Sequence, residues 1–155
     1  MKPAPVVLLL LAVGAGLSAA NLYYNQPMLG LLAHDFATSD ARVGFVPMAT
    51  QAGYAVGILG FAPIGDRHER SRVIVMKAAV LVVALLLVAL APIFEVVVLG
   101  SFLIGLFATI AQDFVPAAAA IAPPAERGKV VGRVMTGLLT GILLSRVVSG
   151  AASAR

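Results

Sequence analysis

Long apolar stretches, separated by short polar links, limit most strongly what this chain of 155 residues can fold into. Hydrophobic residues make up 61% of the sequence and charged residues 12%, and the mean hydropathy is +1.02. Soluble domains contain about 25% charged residues, and a chain with so few cannot cover a surface that faces water. The sequence therefore predicts an integral membrane protein whose surroundings are the lipid bilayer.

The apolar stretches also predict the fold class. A membrane-spanning helix needs about 20 mostly apolar residues, and the sequence offers five such stretches. The links between them, such as "DRHERSR" and "PPAERGK", are short, which predicts antiparallel neighbours and leaves no room for a soluble domain. We therefore predict an all-α, polytopic transmembrane helix bundle. Its spans are predicted at about 5–32, with a kink at Pro27, and at about 43–65, 73–91, 96–122 and 130–152.

Basic residues predict the orientation of these spans. Cytoplasmic loops of membrane proteins carry an excess of Lys and Arg. On the other side of the predicted bundle lie only Arg42 and the terminal Arg155, while Arg146 lies within a span. This places the N-terminus in the cytoplasm and, after five spans, the C-terminus outside. The residues on the predicted cytoplasmic side are Lys2, then Arg67, Arg70, Arg72 and Lys77, then Arg127, Lys129 and Arg133.

Other classes of protein fit the sequence less well. The formal charge of +4 does not indicate nucleic-acid binding, because the basic residues form short clusters between apolar runs. Cysteine is absent, His34 and His68 fall in loops on opposite sides, and the glycines lie inside apolar helices rather than in a nucleotide-binding loop. We expect no enzyme activity, no cofactor and no metal. One alternative stays open for the first stretch, which also fits a signal peptide with small residues at Ser18 and Ala20.

Polar and small residues inside the spans predict their buried faces, because membrane helices associate through close packing and polar contacts. In the first span, Asn21 and Asn25 share one face. In the second, Gln51 flanks a glycine face formed by Gly53, Gly57 and Gly60, and the fifth carries a ladder of small residues from Gly137 to Ser149. The asparagines fit two roles equally, as bridges between helices or as the lining of a substrate cavity. The candidates for such a lining are Asn21, Asn25, Gln51, Gln112 and Arg146.

Two ionisable residues, Asp113 and Arg146, fall within predicted spans, where such groups indicate a functional site. Burial disfavours the charged form of a carboxyl group, so Asp113 is the candidate for proton coupling. A structural aspartate bonded to Gln112 or to a neighbouring helix is the alternative. The depths of Asp113 and Arg146 differ by roughly 13 Å at 1.5 Å per residue, too far for a direct bond. Arg146 stays charged and would bind an anionic group or an acid from another helix.

Three segments of the chain resemble the major facilitator superfamily. The loop "PIGDRHERSR" is similar to the signature Gly-x-x-x-Asp-Arg-x-Gly-Arg-Arg/Lys between the second and third helices of that family, with matches at Asp66, Arg67 and Arg70. The segments "NLYYNQPML" and "PPAERGKVVGRVMTGLLTGILL" resemble a bacterial subgroup close to the drug–proton antiporters. The resemblance covers almost the whole chain and implies a location in the bacterial inner membrane.

The resemblance implies roles for the loop and a larger assembly. In that family the loop braces two six-helix halves against each other, so Asp66, Arg67 and Arg70 would form a conformational brace. The family has twelve helices with inverted repeats nested in each half, and this chain corresponds to about five of them. It therefore resembles an incomplete N-terminal half, with one wall of a substrate cavity. The expected partners are a small-molecule substrate and the missing C-terminal half or another membrane subunit.

Two functions follow from these patterns. The first is a secondary active transporter of the major facilitator type, truncated or fragmentary, which moves a small solute by alternating access and is coupled to protons through Asp113. The second is a five-span membrane protein that transports nothing and binds other helices through the ladder at Gly137 to Ser149.

Overall fold

The computed structural model describes residues 4–67 and 69–153, and within 62–67 it describes the backbone only. The described residues are helical throughout, with short connections and no strand among them, which confirms the predicted all-α class. Two short 3-10 helices lie at Gln26–Met28 and Pro124–Glu126. The α-helices are α1 (Pro5–Ala20), α2 (Leu29–Asp35), α3 (Asp40–Val43), α4 (Phe45–Arg67), α5 (Arg70–Ala89), α6 (Phe94–Ala108), α7 (Ile110–Ile121) and α8 (Arg127–Ser153).

Four helical stretches among the described residues are long and apolar enough to cross a membrane. They are Asp40–Phe61, Arg70–Ala89, Phe94–Ile121 and Pro124–Ser153. The first segment differs from the prediction of one helix over residues 5–32. Helix α1 ends at Ala20, and the chain continues through a turn and a 3-10 helix that contains Pro27. Proline cannot donate a backbone hydrogen bond and disfavours helical geometry in the residue before it, which is consistent with the interruption.

The first segment nevertheless runs alongside α8 beyond the end of α1. Ala12 lies against Gly137, and Pro27 lies against Gly150, so residue numbers rise together along both segments and the two run parallel. From Gly137 to Gly150 the helix rises by roughly 20 Å at 1.5 Å per residue. These contacts therefore extend along about half of α8, which has 27 residues.

Two seams between parallel helices depend on glycine. In the seam between α4 and α6, a Cβ atom at Gly53 or Gly105 would overlap backbone atoms of the facing helix. In the seam between α1 and α8, a Cβ at Gly16 would lie 2.6 Å from the carbonyl oxygen of Gly137. Small residues allow membrane helices to approach this closely. The predicted glycine face of the second span needs one correction, since no atom of the described residues lies within 4 Å of a Cβ at Gly60.

Helix α5 packs antiparallel against α6 and α7. Val88 near the end of α5 touches Gly100 early in α6, and Lys77 near the start of α5 touches Asp113 in α7. The predicted fourth span is divided at Thr109, whose hydroxyl donates to the carbonyl oxygen of Leu106 at 2.9 Å. The bundle thus brings α4, α5 and α7 together at one end, where the candidate site lies.

Candidate functional site

A buried ion pair joins α5 to α7. The Lys77 ammonium donates to the Asp113 carboxylate, with 2.6 Å between Nζ and Oδ2. The Lys77 side chain is 2% exposed and that of Asp113 is 22% exposed. Lys77 Nζ also lies 4.6 Å from the centroid of the Phe61 ring in α4, a distance that allows a cation–π interaction. One lysine therefore contacts side chains of two other helices.

The position of Lys77 corrects its assignment to the cytoplasmic loop cluster. It lies seven residues after Arg70, the first residue of α5, and its side chain is buried inside the bundle. Lys77 is also the partner of Asp113. The sequence analysis named Gln112 or a neighbouring helix as the alternative partner, and the structure shows a residue of the neighbouring helix α5. Gln112 bonds elsewhere, since its Nε2 donates to the Tyr54 hydroxyl oxygen at 2.8 Å.

A cavity of about 340 Å³ borders the ion pair. Its walls combine the two charged side chains with apolar groups and two polar residues of the α6–α7 region. Of the two charged groups, the carboxylate of Asp113 is the more exposed and has more surface open to the cavity. The lining residues are Gly57, Ile58, Phe61, Lys77, Thr109, Gln112 and Asp113.

The surroundings of this pair decide what it can do chemically. Removing two charges from water is unfavourable, and their mutual attraction compensates only while both partners are present. A proton added to Asp113 would remove one charge and leave the Lys77 ammonium without its counter-ion. Each partner of the pair therefore depends on the other for its compensation inside the bundle.

A second cavity, of about 480 Å³, lies nearer the opposite end of α4 and contains the two candidate asparagines. Asn25 is 7% exposed, and its Nδ2 donates to Thr50 Oγ1 at 3.1 Å. Its Oδ1 is buried and accepts no hydrogen bond from any residue that the structure describes. Asn21 bonds back to its own helix, with Nδ2 2.9 Å from the carbonyl oxygen of Leu17. The walls are otherwise mainly apolar, including Leu85 and Val97.

The remaining lining candidates lie outside these two cavities. Arg146 is exposed on α8, with its guanidinium 5.2 Å from the centroid of the Tyr23 ring. Within the described ranges it forms no ion pair with a carboxylate. Gln51 is exposed on α4. The structure thus groups Asn21 with Asn25 and Gln112 with Asp113, and it keeps Gln51 and Arg146 apart from both groups.

The predicted brace falls largely outside what the structure describes. Helix α4 extends through Asp66 and Arg67, whose side chains are outside the described residues, as is His68. Arg70 is exposed at the start of α5. Beside it, Arg72 Nε lies 3.0 Å from the Glu69 carboxylate. The role of the brace stays a prediction.

The fold and the buried charges define a polytopic membrane protein with ionised groups in its interior. The family model for the Major Facilitator Superfamily matches residues 11–155. The chain therefore belongs to the major facilitator superfamily, which confirms the resemblance seen in its motifs.

Comparison with curated proteins finds relatives that are named as transporters. The "Putative uncharacterized transporter YgaY" of Escherichia coli (strain K12) is 43% identical over 146 residues, which cover 94% of this chain and 37% of that protein. The "Probable transporter SCO4007" of Streptomyces coelicolor is 37% identical over 143 residues, which cover 92% of this chain and 33% of that protein. No solved structure matches the chain. The chain spans about a third of the length of these relatives, and their names do not favour a function limited to binding other helices.

Proposed function

We propose that this chain is part of a secondary active transporter that moves a small solute by alternating access, with protons coupled through Asp113. The family match and the names of the relatives support transport as the class of function. The observation that carries the coupling proposal is the Lys77–Asp113 ion pair at the edge of a cavity. Ionisable groups inside membrane bundles commonly serve proton relays and substrate paths.

The coupling step rests on the two charge states of Asp113. With Asp113 ionised, the ion pair holds α5 against α7 at a nitrogen–oxygen distance of 2.6 Å. With Asp113 protonated, that attraction is lost and the free energy of this packed arrangement rises. A proton can shift a conformational equilibrium only by binding the two conformations unequally, and an ion pair that one conformation makes and the other lacks provides this inequality.

The substrate path of the proposed transporter needs a second wall. In transporters built from repeats, substrate sites lie near the bilayer midplane between bundles. We propose that this chain supplies one wall and that a further bundle, from the same polypeptide or another membrane subunit, supplies the other. The proposed lining residues of this chain are Asn21, Asn25, Gln51, Gln112 and Arg146.

The proposed orientation, in a bacterial inner membrane, places the N-terminus in the cytoplasm and residue 153 outside. The absence of native cysteine makes this testable by labelling single introduced cysteines. In intact cells an impermeant maleimide should label Ser39→Cys, between α2 and α3, and should spare Ser71→Cys, at the start of α5. Both should be labelled after the membrane is opened, and the reverse pattern in intact cells would refute the orientation.

The coupling proposal is tested in proteoliposomes that hold a pH-sensitive dye and contain the protein with any partner it purifies with. Small solutes are added in turn, and the internal pH is recorded. We expect at least one solute to be transported with a change of internal pH, which Asp113→Asn abolishes and Asp113→Glu preserves in part. Asp35→Asn, at an exposed carboxyl group on α2, is the matched control and should behave as the wild type. Equal pH changes with wild type and Asp113→Asn would refute coupling through Asp113.

A further inference from the structure

The charge left on Lys77 when Asp113 takes up a proton points to a class of solute. An ammonium without a counter-ion inside a bundle is strongly unfavourable. The protein can relieve this state by deprotonating Lys77, by admitting water, or by binding an anion at Lys77. The third route connects the proton to a solute and follows from the cavity that borders both charged groups.

We propose that Lys77 binds a small monocarboxylate in place of Asp113 when Asp113 is protonated, so that the transported solute is an anion that moves together with a proton. This inference rests on the proposed function and names the class of substrate for it. In the exchange, one proton from the bulk solution, delivered as hydronium, binds an Asp113 oxygen, and the hydrogen bond from Lys77 Nζ to Oδ2 breaks. Lys77 remains an ammonium and donates a hydrogen bond to the solute carboxylate.

The geometry favours a carboxylate over other solutes. The position now held by Oδ2, 2.6 Å from Nζ, is already a carboxylate position, and a free carboxylate can accept the same bond. Gln112 Nε2 uses one of its two N–H groups on Tyr54, and the second remains as a donor toward the solute. Ile58 and Phe61 line the same cavity and suit an apolar group attached to the carboxylate.

While Lys77 keeps its charge, the balance of charge favours an anion over two other classes of solute. The ionised pair has no net charge, and a protonated Asp113 with a bound monocarboxylate at Lys77 also has none. A cationic solute would add a second positive charge beside Lys77. A neutral solute would leave the charge of a protonated Lys77 uncompensated. With Lys77 charged throughout, an anion is the solute that keeps the site neutral in both states.

Proton and anion must therefore bind cooperatively. Binding free energies are reciprocal, so a proton that strengthens anion binding by some factor is itself bound more strongly by that factor in the presence of the anion. No other charged side chain among the described residues lines this cavity. Tyr54 is linked to the cavity through the hydrogen bond that its hydroxyl oxygen accepts from Gln112. In α8, which packs against α7, Arg127 donates to the Ala119 carbonyl oxygen, and Lys129 and Arg133 line a different cavity.

The test uses benzoate as the probe and isothermal titration calorimetry on the purified full chain in lipid nanodiscs. Titrations in two buffers with different ionisation enthalpies report the protons taken up on binding. We expect wild-type protein to take up about one proton per benzoate, as the reciprocal coupling requires. Asp113→Asn mimics the protonated state. It should bind benzoate at least about tenfold more tightly near neutral pH, within the usual range of coupling between sites, and without proton uptake.

Two controls keep the result interpretable. The double variant Lys77→Gln/Asp113→Asn carries no charge at the site, should fold, and should not bind benzoate above the level of empty nanodiscs. Benzamide, a neutral analogue, should bind Asp113→Asn much more weakly than benzoate does. The inference is overturned if Asp113→Asn gains no affinity, if the double variant binds equally well, or if wild-type binding takes up no proton.

The outcomes separate this inference from the proposed function. If Asp113-dependent pH changes accompany only cationic or neutral solutes in proteoliposomes, the anion inference fails and proton-coupled transport stands. If benzoate binds with proton uptake but no solute crosses the membrane, the anion site stands and the proposed transport function fails.

Discussion

Two of the ion pairs among the described residues have nearly equal lengths but opposite surroundings. In the core pair, Lys77 and Asp113 lie 2.6 Å apart with side chains 2% and 22% exposed. In the rim pair, Arg42 and Glu95 lie 2.7 Å apart with side chains 56% and 64% exposed. The rim pair joins α3 to the first turn of α6, and the Arg42 guanidinium also lies 5.6 Å from the Phe94 ring centroid.

The difference shows that distance alone does not measure what an ion pair contributes. Water and salt compete for the rim pair, and exposed pairs contribute about 0–1 kcal/mol to stability. Neither competitor reaches Lys77 easily, so each partner of the core pair depends on the other. Loss of the rim pair should therefore change the stability of the bundle little, whereas loss of one partner of the core pair should change it strongly.

The largest expected effect comes from removing one partner of the core pair. Lys77→Met leaves the Asp113 carboxyl group without a counter-ion and should lower the free energy of unfolding by about 3–5 kcal/mol. Unfolding in mixed micelles, followed by circular dichroism, measures the change. The double variant Lys77→Met/Asp113→Leu removes both charges and should recover most of the loss. Equal losses in the single and double variants would show that packing, not charge, dominates.

A smaller effect is expected when the positive charge at residue 77 is kept and the shape of its side chain is changed. Lys77→Arg retains the positive charge but places a larger, planar group beside Phe61 and Asp113. Overpacking of a filled core lowers stability by about 1–3 kcal/mol. The same unfolding assay measures this, with Arg72→Lys at an exposed site as the control. A loss as large as that of Lys77→Met would mean that the site tolerates no other cation.

A buried neutral contact tests whether burial without charge is enough to matter. Thr50→Val keeps the side-chain shape but removes the acceptor for Asn25 Nδ2. Asn25 Oδ1 has no partner among the described residues, so the whole side-chain amide would be buried without a hydrogen bond. We expect this to lower the free energy of unfolding by about 1–2 kcal/mol. Asn25→Leu/Thr50→Val removes both polar groups and should be milder, as measured by the same unfolding curves. A double variant less stable than Thr50→Val would contradict this explanation.

The smallest effect is expected at the rim pair. Arg42→Gln should change the free energy of unfolding less than any of the three changes above, because water competes for both partners of an exposed pair. Added salt should reduce even this difference, because exposed charges are screened, while the loss from Lys77→Met should change little. Unfolding of wild type, Arg42→Gln and Lys77→Met at low and high salt provides the comparison. A strong salt response at Lys77 would place the core pair in contact with water.

The sequence predicted the helix bundle and much of its packing because apolar length and small-residue spacing are local properties. Gly53 and Gly57 lie at the seam with α6, and Gly137 and Gly141 at the seam with α1, as their spacing indicates. The end of α1 at Ala20 was not predicted. The segment "NLYYNQP" that follows is rich in polar residues and ends at Pro27, and this pattern fits a kinked helix as well as an interrupted one.

Lys77 was missed, although a signal for it exists. It lies roughly 10 Å along α5 from Arg70, and Asp113 lies roughly 12 Å from the end of α7 at Ile121, at 1.5 Å per residue. Comparing these depths would have matched the two residues. A lysine two turns into a helix ordinarily extends its ammonium to the membrane surface, which favours the assignment of Lys77 to the cytoplasmic cluster. Packing decides which face of α5 carries Lys77. The sequence therefore does not show whether its ammonium turns toward Asp113 or toward the membrane surface.

The glycine seams also bear on how the bilayer treats this protein. Facing backbones at Gly16 and Gly141, and at Gly53 and Phe102, are in direct contact, which leaves no gap wide enough for an acyl chain. Lipid acyl chains can therefore contact each closely packed pair of helices only on its outer surface, and the pair meets the bilayer as one unit. Changes in lipid tail length or saturation should affect the grooves between these helix pairs and should leave the glycine seams within each pair unchanged.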